Sequence, residues 1–254
     1  MKKSLLFVAA MFAAVCANAQ GTWNAVPSTA AVGDVVAPAG TPTEVATEIQ
    51  NAKVVLVDGG NDWTVKSDPA TAETFESQGK TFSKAYIQGG TNGMDGSLDK
   101  AGTASAHVQF TPAVAGKVYV AAKYGKNKKI WTAKVPNSEV EELDFASMAE
   151  YATDVWGQYI TADGGLAAEQ TVTDADVYAA LAYDVEPGNT YFFWVSGSKI
   201  MLCGLAFDTN GSDGISNAVA EKANVNAPIY NLAGQRVNAN FKGIAIQNGK
   251  KFVK

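Results

Sequence analysis

The chain has 254 residues, 47% of them hydrophobic and 18% charged, with 20 basic side chains against 25 acidic ones and a single histidine. A net charge of −5 argues against a nucleic-acid partner, because phosphate binding needs a basic face. One histidine and two cysteines fall short of a His/Cys zinc site, which takes four ligands.

In chain order, Met1-Lys2-Lys3 precedes an apolar run from Leu5 to Val15, then Ala17-Asn18-Ala19 and Gln20. A charged start, a hydrophobic stretch too short to span a bilayer and an A-x-A site predict a signal peptide over 1–19, cut between Ala19 and Gln20. The alternative is a lipoprotein with its lipid on Cys16, although Val15 stands where that signal needs a small residue. Either way the product is exported, to the periplasm, the outer surface or the medium. Loss of Lys2 and Lys3 leaves 18 basic against 25 acidic residues, a charge of −7. Cleavage after Ala19 also leaves one cysteine, so no internal disulfide is expected. That cysteine, Cys203, lies in the apolar run Ile200–Phe207 and reads as a buried, unreactive thiol. No later run approaches the ~20 apolar residues of a membrane-crossing helix, so no transmembrane segment is expected.

Residues 20–43, broken by Pro27, Pro38 and Pro42, read as an extended leader arm. Over 44–208, short apolar runs recur between Gly, Asn and Asp clusters: Lys53–Val57, Trp63–Lys66, Thr81–Gln88, Ala104–Phe110, Lys117–Tyr124, Lys129–Val135, Val177–Val185, Thr190–Val195 and Ile200–Phe207. Strands of this length predict an all-β fold, a jelly-roll-like two-sheet sandwich. Alternation puts Ala106, Val108 and Phe110 toward the core and His107 on a sheet surface. Thr190–Val195 and Ile200–Phe207 are apolar on both faces, as central strands covered on each side would be. A helical turn is plausible only over Glu139–Thr153, at the start of an acid-rich stretch that reads as solvated. Two segments, Gly116-Lys117-Val118-Tyr119 with Gly125 and Gly188-Asn189-Thr190-Tyr191 with Gly197, echo each other and read as two hairpins in facing sheets.

Three stretches carry a family resemblance: Thr81–Gly90, Val108–Tyr124, and Tyr183–Tyr191 with Ser196-Gly197-Ser198-Lys199 and Gly204. Residues 44–208 thereby resemble the β-sandwich modules that accompany secreted polysaccharide-degrading enzymes, pectate lyases especially, in the Bacteroidetes. The resemblance implies a carbohydrate-binding-like module, often with a structural calcium. After a linker over 209–226, residues 227–254 hold Pro228–Val237 and Lys242–Lys254. This segment resembles the C-terminal tail of Bacteroidetes proteins exported by the type IX route, which implies the secretion machinery as a partner. Its strands are expected at Ile229–Leu232, Ile244–Ile246 and Phe252–Val253, with an Asn248-Gly249 hairpin signal.

For chemistry, no nucleophile–base spacing surrounds His107, and no Gly-rich loop opens a helix. Two constellations remain. Asp95, Ser97 and Asp99 alternate in the loop Asn92–Asp99, an oxygen-rich spacing suited to calcium but not an EF-hand, since Lys100 and Ala106 stand where that loop needs Gly and Glu. Trp131, Trp156 and Tyr159 lie in or beside predicted loops, where flat rings stack on sugar faces or pack half-buried in the sandwich. The sequence thus predicts an exported, non-enzymatic module that binds a polysaccharide or other glycan. The alternative is a structural or adhesive surface protein that binds other proteins.

Overall fold

The computed structural model describes residues 21–45, 48–100, 103–145, 148–161, 164–167 and 176–209, then 229–231, 236–237, 242, 244–247 and 250–253. The predicted signal peptide, with Cys16, and nearly all of the predicted linker lie outside the described residues. The chain divides into two units, 1–210 and 211–254.

The first unit begins with β1 (Gly21–Asn24), β2 (Val35–Ala37), β3 (Thr43–Glu44), β4 (Ala52–Val57) and β5 (Trp63–Val65). Next come β6 (Thr74–Ser77), β7 (Lys80–Ser83), β8 (Ile87–Gln88), β9 (Asp99–Lys100) and β10 (Thr103–Ala104). The longer strands follow: β11 (His107–Pro112), β12 (Gly116–Tyr124), β13 (Lys129–Pro136) and β14 (Asp154–Ile160). Last are β15 (Leu166–Ala167), β16 (Val177–Val185), β17 (Asn189–Val195) and β18 (Met201–Thr209). Sheet one runs β16-β12-β18-β8-β5-β2, with β1 also against β18, and sheet two runs β15-β14-β13-β17-β11-β4-β3.

The winding is that of a jelly roll. The chain doubles back at the β13–β14 hairpin, so β13 pairs β14, β12 pairs β16, β11 pairs β17 and β8 pairs β18, all antiparallel. Rolling this ribbon brings β12 against β18 and β13 against β17. Two sheets result, with their edges handled by doubling rather than closure. Strand alternation fills the space between them. From β12, Val118, Val120, Ala122 and Tyr124 face inward, meeting Phe110, Phe193 and Leu56 of the opposite sheet.

Both outer faces are also partly covered. The β6–β7 hairpin lays Phe82 and Phe75, 5.7 Å apart between ring centres, over the outer side of sheet one, against Tyr119, Ala180 and Cys203. Over sheet two, Leu98, Met148 and Leu143 cover Ala133, Phe192 and Trp194. This explains why β17 and β18 are apolar on both faces. Cys203 is fully buried, and desolvation pushes its thiol up to about 12. The native protein should therefore resist iodoacetamide at pH 8 and react only once unfolded in guanidinium. Rapid labelling of the native state would show that the β6–β7 cover opens.

Four sequence-based expectations change. First, the leader is no arm from Gly21 onward: β1 pairs β18, β2 pairs β5, and Trp23, Ala25, Val26 and Ala37 enter the core. Its docking needs Gly204, where a Cβ would collide with the Trp23 carbonyl. Second, the echoing segments are not hairpins. Each passes from one sheet to the other, and they interlock through β12·β18 and β13·β17. Third, Thr81–Gln88 splits into β7 and β8.

Fourth, His107 points outward from sheet two, as alternation requires, yet it is completely buried. Phe145 packs edge-on to its ring at 5.3 Å and Phe192 lies beside it at 5.6 Å. Nδ1–H donates to the Ser105 carbonyl at 2.8 Å, so Nε2 accepts from the Gln109 amide at 3.1 Å, an assignment made from the network. Phe145 comes from the segment after β13, whose helical content is a 3₁₀ turn at Val140–Glu142 and one α-turn, α1 (Met148–Tyr151).

In the second unit, β19 (Ile229–Asn231), β20 (Arg236–Val237), β21 (Ile244–Gln247) and β22 (Lys250–Val253) form one antiparallel sheet in the order β20-β19-β21-β22. The strand beyond the three expected is β20. Residues 248 and 249 fall between Gln247 and Lys250, which pair across β21 and β22, but lie outside the described residues.

Candidate functional site

Among the described residues, the outer face of sheet two is only half-buried at its β14 side. β13 and β14 pair with Lys129 opposite Tyr159 and Trp131 opposite Gly157. All four are half-buried. Because opposed residues share a face, Lys129, Trp131 and Tyr159 stand together. The Lys129 ammonium lies 4.8 Å from the Tyr159 ring centre and 5.0 Å from that of Trp131. Both distances fall within cation–π range.

Three features hold the indole of Trp131. Its ring is bedded on Gly157, where a Cβ would come within 2.7 Å of indole carbon Cε2. Toward the centre of the sheet it stacks on Trp194, with ring centres 6.2 Å apart and planes 15° from parallel. Trp194 is fully buried and donates its indole N–H to the Met94 carbonyl at 2.8 Å. Above the rim sits Gly96, whose positive φ of 65° turns the 92–99 loop across the indole. The Trp131 N–H is itself buried and meets no acceptor among the described residues.

The 92–99 loop therefore forms a wall of this face. Ser97 donates its hydroxyl to the Phe145 carbonyl at 3.3 Å and accepts the Asp99 N–H at 3.1 Å. Asp95 is exposed, and Asp99 enters β9, which pairs β10. Among the described residues no three or more His, Cys, Asp or Glu side chains gather around one point. The Ser97 hydroxyl between Asp95 and Asp99 is thus bonded both to the Phe145 carbonyl and to the Asp99 N–H.

Trp156 requires a similar correction. It lies on β14 between Val155 and Gly157, so it faces the other side of the strand from Tyr159. There it packs against the inter-sheet core, 6.5 Å from the Tyr183 ring. Two of the three expected aromatics share a face and the third supports the sheet from within. All three belong to strands, not loops.

Two contributors had no sequence signal of their own. Gly157 lies in β14, where the sequence predicts no strand, and its role emerges only from its register partner. Asp58 sits in Asp58-Gly59-Gly60-Asn61, which reads as a turn, yet it is almost fully buried. Its carboxylate accepts N–H bonds from Gly60, Asn61, Gly90 and Thr91 and the Thr91 hydroxyl. It thereby ties down the root of the 92–99 loop.

Compared with known proteins, the chain matches no family model and no curated protein. The functional reading rests on the geometry of the site and on the sequence.

Proposed function

We propose that this is an exported, non-catalytic carbohydrate-binding-like module, with Trp131 and Tyr159 as its stacking platform. One observation carries the reading: two aromatic rings share one lysine on the half-buried outer face of a jelly-roll sheet. Rings of this kind offer an apolar face to the C–H side of a sugar. The glycine under Trp131 and the buried Trp194 beside it fix the indole before any ligand arrives, which lowers the ordering cost of binding. The leader 1–19 would deliver the chain across the inner membrane. The tail resembling a type IX segment would take it to the outer surface or beyond, as in the Bacteroidetes proteins with such tails. No helix among the described residues is long and apolar enough to cross a membrane.

A second reading, an adhesive protein that binds other proteins, draws on a different place. β2 is an edge strand of sheet one, and Val35 within it and Val32 ahead of it are 47% and 61% exposed. Open edges recruit partner strands.

A glycan panel titrated by calorimetry distinguishes the two. Sugar stacking requires at least one polysaccharide to bind, and Tyr159→Ala to weaken that binding by about 1–3 kcal/mol with little change in melting temperature. Tyr159 is the cleaner variant because Trp131 also packs on Trp194. Binding undiminished in both Tyr159→Ala and Trp131→Ala would sink the platform. Absence of binding across the panel would favour the protein-binding alternative.

A further inference from the structure

Charge around the platform runs against the charge of the chain. The protein is acidic overall, but the turns that frame Trp131 and Tyr159 are basic. The β12–β13 connection supplies Lys126, Lys128 and Lys129, and the β17–β18 connection supplies Lys199. These turns are bonded into one surface: Ser196 N–H donates to the Lys129 carbonyl at 3.0 Å, Gly197 N–H to the Gly93 carbonyl at 2.9 Å, and Lys128 Nζ to the Gly197 carbonyl at 2.9 Å. Residues 125–137 and 189–207 hold no Asp or Glu, and the 92–99 loop adds Asp95 and Asp99.

Away from the platform six lysines are neutralised locally, while the exposed Lys66 has no ion pair among the described residues. Lys53, Lys80, Lys84, Lys117, Lys123 and Lys134 each reach a carboxylate within 2.6–3.2 Å. Among the described residues Lys126, Lys128, Lys129 and Lys199 have no such partner. Lys129 is held between two ring faces, where an aromatic quadrupole attracts the cation without cancelling its charge. A fixed, uncompensated ammonium beside a stacking surface selects a ligand that carries a negative group next to a sugar ring.

We infer that the platform takes an anionic saccharide, one bearing carboxylate or sulfate groups, with Lys129 as the contact for the anion and Lys128 and Lys199 as its flanking field. This rests on the proposed carbohydrate-binding function and narrows it to a ligand class.

The test pairs polymers that differ in charge. The full mature chain is titrated with dextran sulfate, dextran, alginate and a neutral β-glucan at about 20 and 300 mM salt, where screening length changes several-fold. The expected result is binding to dextran sulfate or alginate, none to dextran or β-glucan, and a loss of about tenfold at the higher salt. Lys129→Gln and Lys199→Gln should each weaken binding at least about fivefold, while Lys53→Gln, which breaks the ion pair with Glu44, should not. A melting curve for each variant separates lost contact from lost fold. Neutral polymers bound as tightly as charged ones would overturn the anion preference and leave the platform standing. Charged polymers bound equally by Lys129→Gln, Lys199→Gln and Lys53→Gln would overturn the site. Failure of all four polymers, with a neutral glycan of the wider panel bound through Tyr159, would overturn the anion preference alone. Failure of every glycan would remove both readings.

Discussion

Trp194→Ala is expected to cost about 3–5 kcal/mol of folding stability, as large buried truncations do. The side chain is fully buried, stacks on Trp131 and gives its N–H to the Met94 carbonyl. Its removal leaves a cavity under the 92–99 loop and a carbonyl without its donor, adding about 1 kcal/mol. With domains stable by only about 5–15 kcal/mol in total, a change of this size moves the guanidinium midpoint far. Trp156→Ala is the internal comparison. Trp156 is only half-buried against the core, so its loss should cost less, about 2 kcal/mol. A Trp194→Ala protein within about 1 kcal/mol of wild type would mean that the cover of sheet two is not packed as described.

Acid should weaken the protein through its single histidine. Burial is the main cause that holds the His107 imidazole down, from 6.5 to about 4, with the bond to the Ser105 carbonyl opposing it. The unfolded chain therefore binds a proton between these values that the native state does not. The stabilisation is complete above about pH 6.5 and is lost as pH falls toward about 4. A difference of this size corresponds to about 3 kcal/mol, of which about 2 kcal/mol is gone by pH 5. His107→Gln has no proton to take up in this window, so the wild-type loss between pH 7.5 and 5 should exceed that of the variant by about 2 kcal/mol. Urea midpoints at the two values measure this directly. Parallel losses in the two proteins would show that His107 is solvated, and that Phe145 and the segment around it do not seal sheet two.

The repeating strands were legible because their alternation is a local property. Val118, Val120 and Ala122 announce β12 without knowledge of any neighbour. What covers each sheet was not legible, since that depends on distant chain. His107 obeys alternation yet is buried, because Phe145 arrives from 38 residues away. The same limit hid β1: its four residues look like linker, and only the missing Cβ at Gly204 shows that a backbone docks there.

The site follows the same logic. Trp131 and Tyr159 were recognisable as aromatics with polar surroundings, but the register that places Gly157 under the indole and Lys129 between the rings is a property of the β13–β14 pair. Trp156 looked equivalent to Tyr159 because sequence proximity hides the side of the strand. Three residues apart on one strand means opposite faces. Asp95, Ser97 and Asp99 carried a ligand-like spacing, and the bonds that tie Ser97 to Phe145 and Asp99 were not legible in it.

The platform is tested most directly by the indole N–H resonances of the five tryptophans during titration with a glycan that binds. Trp131, identified by its loss in Trp131→Phe, should shift progressively with ligand, while Trp23, Trp63, Trp156 and Trp194, held in the core or beneath the cover, stay close to their starting positions. Saturable binding that leaves Trp131 unmoved, or that moves Trp156 instead, would contradict the assignment of the outer face of β13 and β14 as the sugar-binding surface.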